Sequence, residues 1–171
     1  VISFLLVYIC SLQGLVSVDP LTGLNNRCQL LTYLSSKIKS LDKNERLYFI
    51  LLDIDMFKQI NDTYGHNEGD KAIVSIAAGL REACKKTNGF CARYGGDEFA
   101  VVQTLNSGAS IDAVIKRIKW EIKNKTKASG FLHPIEISMG CAEYTKVTSD
   151  IQELIMCADS KMYKDKADKR K

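Results

Sequence analysis

The order of the predicted elements indicates an α+β fold with a ferredoxin-like β-α-β-β-α-β core and additional helices. Two observations lead to this prediction. Leu47 to Leu52 is an unbroken apolar run of strand length, which is typical of a central strand buried on both faces. Phe90 to Tyr94 and Phe99 to Thr104 are also strand-like, and they flank the tetrapeptide 95–98, Gly-Gly-Asp-Glu. Paired strands around such a tetrapeptide predict a β-hairpin.

The remaining elements follow from the spacing of apolar residues. Asp19 to Arg27 contains Pro, Gly and two Asn and is predicted to turn, and a helix from about Asn26 to Leu41 follows it. A short helix from Met56 to about Tyr64 is expected after the central strand, with Asp55 as its N-cap. Gly65 to Gly69 is predicted as a loop. Later helices are predicted at 70–86, 111–125 and 151–169, and a strand at 135–142.

The composition suits one globular domain. A chain of 171 residues can bury a sizeable core. The net charge of +4 favours an anionic ligand but is too small to imply nucleic acid as a partner. The six cysteines include no C-x-x-C pair, so we expect no zinc site of the usual spacing and interpret them as reduced, buried thiols of a cytosolic domain.

The first segment, Val1 to Val18, is apolar and carries no charge. It is slightly short for a bilayer core of roughly 30 Å, and it lacks the basic start of a signal peptide. We interpret it as the end of a membrane or signalling helix that enters a domain spanning 19–171. A helix packed on this domain or on a second copy is the alternative. Because the chain opens on Val, we expect it to be a fragment of a longer protein with an upstream sensor or membrane region.

Two acidic groups are candidates for a metal site. Asp53 and Asp55 follow the buried strand, where an unpaired carboxylate is costly and a hard cation such as Mg²⁺ offers compensation. Helix capping is the alternative for Asp55. Asp97 and Glu98 stand at the hairpin tip after Gly95 and Gly96, which would let the backbone approach a ligand. A plain solvated turn is the alternative there.

Two further segments suit an anionic nucleotide. Lys58 lies at the start of the short helix, where backbone N–H groups and a cation bind phosphate, and Asn61 with Asp70 offers donors and acceptors for a purine edge. The chain ends on a basic helix in which Lys166 and Arg170 share one face. A solvated helix surface is the ordinary interpretation of that basic run, and contact with a triphosphate is the sharper one.

Taken in order, these motifs resemble the GGDEF family of diguanylate cyclases over about residues 17 to 171. The motifs that carry the resemblance are Asp19-Pro-Leu-Thr-Gly-Leu-Asn-Asn-Arg27, Asp53-Ile-Asp-Met-Phe-Lys-Gln-Ile-Asn-Asp62, Gly65-His-Asn-Glu-Gly-Asp70, Ala92-Arg-Tyr-Gly-Gly-Asp-Glu-Phe99 and Ala158-Asp-Ser-Lys-Met-Tyr-Lys-Asp-Lys166. The resemblance implies a palm similar to those of nucleotidyl cyclases. It also implies metal-dependent condensation of two GTP molecules into cyclic di-GMP and two pyrophosphates between two copies of the domain.

The resemblance also implies roles for individual residues. Asp53 and Asp97 would bind two Mg²⁺ or Mn²⁺ ions per active site, assisted by the Ile54 carbonyl group. Asp97 would accept the proton of the attacking 3′-hydroxyl, Glu98 would support the metals and Lys58 would stabilise the transition state. The substrate would be bound by Asn61, Asp70, His66, Lys166, Arg170, Gly95, Gly96 and the backbone at Met56 and Phe57.

Three departures from the family pattern affect these expectations. Lys86 to Gly89 replaces an Arg-x-x-Asp product-binding motif, so we expect no product inhibition through it. Lys169 stands where the closing motif usually has Gly, and Met56 replaces a common aromatic residue. Asp70 is retained, which favours guanine. Two alternatives to an active enzyme stay open: a catalytically silent module that binds GTP or cyclic di-GMP, and a signalling adaptor.

Overall fold

A computed structural model describes residues 17–131, 133–145 and 150–169. The helices are α1 (Arg27–Lys39), α2 (Phe57–Tyr64), α3 (His66–Thr87), α4 (Ile111–Ala128) and α5 (Ile151–Asp168). The strands are β1 (Glu45–Ile54), β2 (Phe90–Arg93), β3 (Glu98–Asn106) and β4 (Ile137–Glu143). The apolar segment Val1 to Val18 lies outside the described residues except for its last two. No helix within the described ranges is long and apolar enough to cross a membrane.

The four strands form one antiparallel sheet in the order β2-β3-β1-β4. This order and the intervening helices are those of the predicted ferredoxin-like core, so the predicted fold class is confirmed. β1 lies in the middle of the sheet, as its unbroken apolar sequence predicts. β2 and β3 form the predicted hairpin, whose tip is the segment 94–97.

Helices cover both faces of the sheet. Alternate side chains of β1 point to opposite sides, so that Ile50 and Leu52 pack in the core beneath α3 and α4. Phe49 and Leu51 pack in a second core beneath α1 and α5. Asp53 has the same parity as these last two residues, which directs its side chain toward α5.

Helix α5 packs closely on β4 at Gly140. A Cβ atom at this position would overlap the carbonyl oxygen of Ala158 and lie close to the backbone nitrogen of Met162. Both atoms belong to the α5 backbone, which cannot move away as a flexible side chain would. The absence of a side chain at Gly140 therefore sets how near α5 comes to the sheet.

We expect Gly140→Ala to lower the free energy of unfolding by about 3 kcal/mol, because the added methyl group overlaps backbone atoms in a packed core. Urea denaturation followed by circular dichroism measures this change. Gly96→Ala is the matched control, since a Cβ there meets no atom within 4 Å. Equal losses in the two variants would contradict close packing of α5 on β4.

Candidate active site

The carboxylates at the end of β1 lie beside the hairpin tip. Asp53 is the register partner of Glu98 in β3 and of Ser138 in β4. The backbone N–H of Ile54 donates to the carbonyl oxygen of Asp97 at 3.3 Å. Pairing of β1 with β3 thus brings Asp53, Asp97 and Glu98 together from two distant segments.

The acids of this cluster affect one another. Burial raises the pKa of Asp53, Lys166 counteracts the rise, and the charges of Asp97 and Asp55 add to it. Burial also raises the pKa of Glu98, and the nearby charges of Asp53 and Asp97 raise it further. Both shifts show that the ionised carboxylates are unfavourable here, first because they are partly buried and then because other acids lie close by.

Lys166 supplies positive charge within this cluster. Its ammonium group donates to Asp53 Oδ1 at 2.6 Å, and the two side chains are only 24% and 14% exposed. Such a partly buried ion pair is less screened by solvent than a surface pair. Lys166 is predicted to bind triphosphate, and in this structure its ammonium group is paired with Asp53, a predicted metal ligand. Arg170, its predicted partner, lies outside the described residues.

The prediction that Asp55 caps the short helix is wrong. The backbone N–H of Asp55 donates to the Glu136 carbonyl oxygen at 2.9 Å, which keeps Asp55 in line with the sheet. The chain then turns through Met56, whose φ of 56° is left-handed, and α2 has no side-chain cap. The carboxylate of Asp55 instead accepts hydrogen bonds from Ser138 Oγ at 2.6 Å and from Lys169 Nζ at 3.0 Å.

The predicted loop over Gly65 to Gly69 is also wrong, since α3 already begins at His66. Only Gly65 joins α2 to α3, with a φ of 86° that favours glycine. The predicted substrate residues His66 and Asp70 are both exposed and belong to the first turns of α3. They therefore stand on a helix rather than on a flexible connection.

Asn61 belongs to α2, and its side chain lies against α3 at Gly69, which has no side chain of its own to exclude it. A Cβ at Gly69 would overlap Asn61 Oδ1. This oxygen is buried and has no hydrogen-bond partner among the described residues, which is unusual for a polar atom. The described residues therefore leave this acceptor without compensation for its burial. Lys58, by contrast, is exposed, and Phe57 packs against the core beneath α3 and α4.

Arg93 holds the hairpin tip, and sequence reasoning gave it no role. Its guanidinium donates to the carbonyl oxygens of Gly95 at 3.2 Å and Gly96 at 2.7 Å. It also pairs with Asp19 at 3.2 Å. Partial burial alone would raise the pKa of Asp19, but hydrogen bonds from Thr22 and the charge of Arg93 outweigh it and lower the pKa. The two residues are 74 positions apart, so no local pattern connects them.

The metal-binding prediction is only partly reflected in the geometry. No group of three or more His, Cys, Asp or Glu side chains within the described part of the chain is arranged to hold a metal ion. The available donors are nevertheless of the right kind, because hard divalent cations prefer carboxylate and carbonyl oxygens. The pKa values of Asp53 and Glu98, raised first by burial and then by neighbouring acids, mark a place where added positive charge is favourable.

Comparison with known proteins identifies the family. The sequence model described as diguanylate cyclase, GGDEF domain matches residues 16–171. Diguanylate cyclase DgcP of Escherichia coli K12 is 34% identical over 157 residues, which cover 90% of this chain and 45% of that protein. The biofilm architecture maintenance protein MbaA of Vibrio cholerae is 33% identical over 164 residues, which cover 90% of this chain and 20% of that protein. The chain thus spans less than half the length of these relatives.

Solved structures agree. The GGDEF domain of DgcB from Caulobacter crescentus, in complex with c-di-GMP, matches with a TM-score of 0.77 and 28% identity, over 88% of this chain and 90% of that one. A sensory box/GGDEF family protein from the same organism matches with a TM-score of 0.74 and 32% identity, over 89% and 99% of the two chains. The fold is therefore the palm of the nucleotidyl cyclases. Within that class, the chain belongs to the GGDEF family.

Removing the charge of Glu98 is expected to stabilise the fold. Because its pKa is higher in the folded chain than in the unfolded chain, the ionised form of Glu98 lowers the free energy of unfolding at neutral pH. This cost disappears as the pH falls through the pKa of the folded state toward the lower pKa of the unfolded state. Glu98→Gln should therefore raise the free energy of unfolding at pH 7 by up to about 1 kcal/mol, a figure that allows for solvent screening.

Urea denaturation at several pH values between 7 and 4 measures this difference. The advantage of Glu98→Gln should shrink with decreasing pH, because Glu98 itself becomes protonated as the pH falls through its pKa, which burial raises first and the charges of Asp53, Asp97 and Asp159 raise further. Asp62→Asn, which removes an exposed acid elsewhere, serves as the control. A variant less stable than wild type at pH 7 would contradict the crowded-charge interpretation.

Proposed function

We propose that this chain is the catalytic domain of a diguanylate cyclase, which condenses two GTP molecules into cyclic di-GMP and two pyrophosphates. The observation that supports this most directly is the convergence of Asp53, Asp97 and Glu98 where β1 meets the hairpin. Phosphoryl transfer depends on positioning and on neutralising charge more than on covalent help from the protein. An oxygen-rich cluster in a domain of this family suits that chemistry.

We infer that the carboxylates of Asp53, Asp97 and Glu98, with the Ile54 carbonyl, would hold two Mg²⁺ or Mn²⁺ ions. Bound divalent metal would lower the pKa of the attacking hydroxyl and neutralise the leaving phosphates. The chain itself contributes the oxygen donors and their placement on adjacent strands. Lys166 would have to release or share Asp53 in a metal-bound site, and its charge would then be available to the triphosphate.

The remaining site residues are proposed to bind and orient GTP. The unpartnered Oδ1 of Asn61, together with Asp70, suits the guanine edge, and His66 follows on the same helix. The backbone at Met56 and Phe57, at the start of α2, suits phosphate oxygens, with Lys58 stabilising the transition state. Arg170 with Lys166 is the proposed triphosphate pair, and Gly95 with Gly96 lets the hairpin backbone approach the substrate.

In the proposed reaction, Asp97 accepts the proton of a 3′-hydroxyl group. The 3′-oxygen forms a bond to the α-phosphorus of the opposite GTP, and the bond from that phosphorus to the β-phosphate oxygen breaks. The bonding electrons leave with pyrophosphate, and a second, equivalent attack closes the ring. One domain offers one such site, so the proposed working unit is a two-fold homodimer of this domain.

A regulatory module that binds GTP or cyclic di-GMP without turnover is the second candidate. One observation favours this candidate. Lys166 forms an ion pair with Asp53 and Lys169 forms one with Asp55, so the chain itself already neutralises both acids. We further propose that the domain is cytoplasmic, that it works with an upstream sensor or membrane region, and that it has no nucleic-acid partner.

Incubating the concentrated domain with GTP and Mg²⁺ and separating the products by chromatography tests the proposal. We expect cyclic di-GMP and pyrophosphate from the wild type. Asp97→Ala should lower the rate by at least about 100-fold, because it removes both a metal ligand and the proton acceptor. EDTA should abolish the reaction. A wild-type domain that binds GTP and is dimeric but forms no product would establish the regulatory module instead.

Gly69→Ala tests the role of Asn61 without changing Asn61. The added methyl group displaces the Asn61 amide, so we expect the KM for GTP to rise about tenfold, the upper end of what one neutral hydrogen bond contributes, with little change in kcat. Discrimination between GTP and ATP should fall. Ala78→Ser in the same helix is a control for general perturbation of α3. An unchanged KM would remove Asn61 from the guanine site.

A further inference from the structure

A wide groove runs along one side of α4, outside the carboxylate cluster. Its volume is about 820 Å³. One wall is formed by Lys119, Lys123 and Lys127, which follow one another at four-residue intervals and so share a single face of the helix. The opposite wall is formed by residues 133–137, just before and at the start of β4.

The charge in this groove is strongly unbalanced. Lys119, Lys123 and Lys127 form no ion pair with any described residue, whereas Lys86 and Lys166 both pair with carboxylates. Every acidic residue of the chain falls within the described ranges. Glu136 is the one acid that lines the groove. The three unpaired ammonium groups of the groove therefore suit an anion that carries several charges.

A second polar group in the groove wall lacks a partner. Both ring nitrogens of His133 are buried and make no hydrogen bond with the described residues. The ring is stacked on Tyr64, with centroids 4.2 Å apart and an interplanar angle of 5°. An imidazole without a partner is unfavourable in such a place, and an N–H group of His133 would donate well to a phosphate oxygen after a small shift.

The groove adjoins the proposed triphosphate site. A smaller cavity of about 320 Å³ shares His133, Glu136 and Lys169 with it. That cavity extends to Met56 and Lys166, which are proposed to bind the triphosphate. Basic side chains thus line the way from the end of α5 to the outer part of α4, and Lys169, which pairs with Asp55, stands where the two cavities adjoin.

We propose that this groove binds condensed phosphate and receives the pyrophosphate that leaves the active site. The assignment rests on the proposed cyclase reaction, which releases this anion beside Lys166. The groove then carries the leaving group away from the carboxylates along Lys169, Lys127, Lys123 and Lys119. No covalent step takes place in the groove, so binding alone can be measured.

Isothermal titration of the full chain with pyrophosphate, in EDTA and at low ionic strength, tests this assignment without metal and without turnover. The test variant carries Lys119→Gln, Lys123→Gln and Lys127→Gln. The control variant carries Lys39→Gln, Lys43→Gln and Lys164→Gln, which removes the same net charge from exposed lysines that line neither cavity. Circular dichroism of both variants checks that they fold.

We expect the Kd for pyrophosphate to rise about tenfold in the test variant, as the loss of three solvent-exposed ion pairs implies, and no more than about twofold in the control. Equal effects in the two variants would overturn the proposal, because they would show a response to net charge alone. Undetectable pyrophosphate binding by the wild type would overturn it as well.

A parallel titration with a GTP analogue that resists cleavage between the α- and β-phosphates separates product from substrate. Weaker binding of pyrophosphate alone supports the product assignment. Equally weaker binding of the analogue would overturn that assignment and place the substrate's triphosphate tail in the groove. The result is independent of the cyclase assay: a domain without turnover that still binds pyrophosphate through these lysines would contradict the proposed function and leave the groove as a condensed-phosphate site.

Discussion

The concentration of negative charge at the end of β1 is the constraint on which the rest of the site depends. Antiparallel pairing of β1 with β3 places Asp53 opposite Glu98. It also lets the backbone N–H of Ile54 donate a hydrogen bond to the Asp97 carbonyl oxygen. Burial and mutual repulsion make this arrangement costly, as the raised pKa values of Asp53 and Glu98 show. The same arrangement concentrates the oxygen donors that a hard cation needs. Stability and chemistry therefore make opposite demands on these residues.

Helix α5 supplies the charge that makes this cluster tolerable. Lys166 pairs with Asp53 and Lys169 with Asp55, so two lysines on neighbouring turns neutralise the two acids at the strand end. Their position depends on the close approach of α5 to β4, which Gly140 permits. A glycine in an edge strand and a pair of carboxylates in the central strand are thereby connected through one helix. The proposed entry of metal and nucleotide requires this set of ion pairs to rearrange.

Sequence patterns predicted most of the fold because the decisive patterns are local. The apolar run from Leu47 to Leu52 determines a central strand, since a strand with no polar face must be buried on both sides. The two errors at this level have a physical cause. Asp55 resembles an N-cap by its position, but its backbone hydrogen bond to Glu136 keeps it in line with the sheet and frees its carboxylate for Ser138 and Lys169. Gly65 to Gly69 looks like a loop by composition, yet one glycine is enough to join the two helices.

The sequence by itself determined the fold class, the hairpin with its acidic tip and the chemical character of the candidate residues, because residue type and short-range periodicity carry that information. Only the tertiary structure decided which charges meet. The contact of Arg93 with Asp19, the position of Lys166 on Asp53 and the groove between α4 and β4 all join segments far apart in the chain. Such contacts depend on how helices pack against the sheet, and no spacing of residues along the chain specifies that packing.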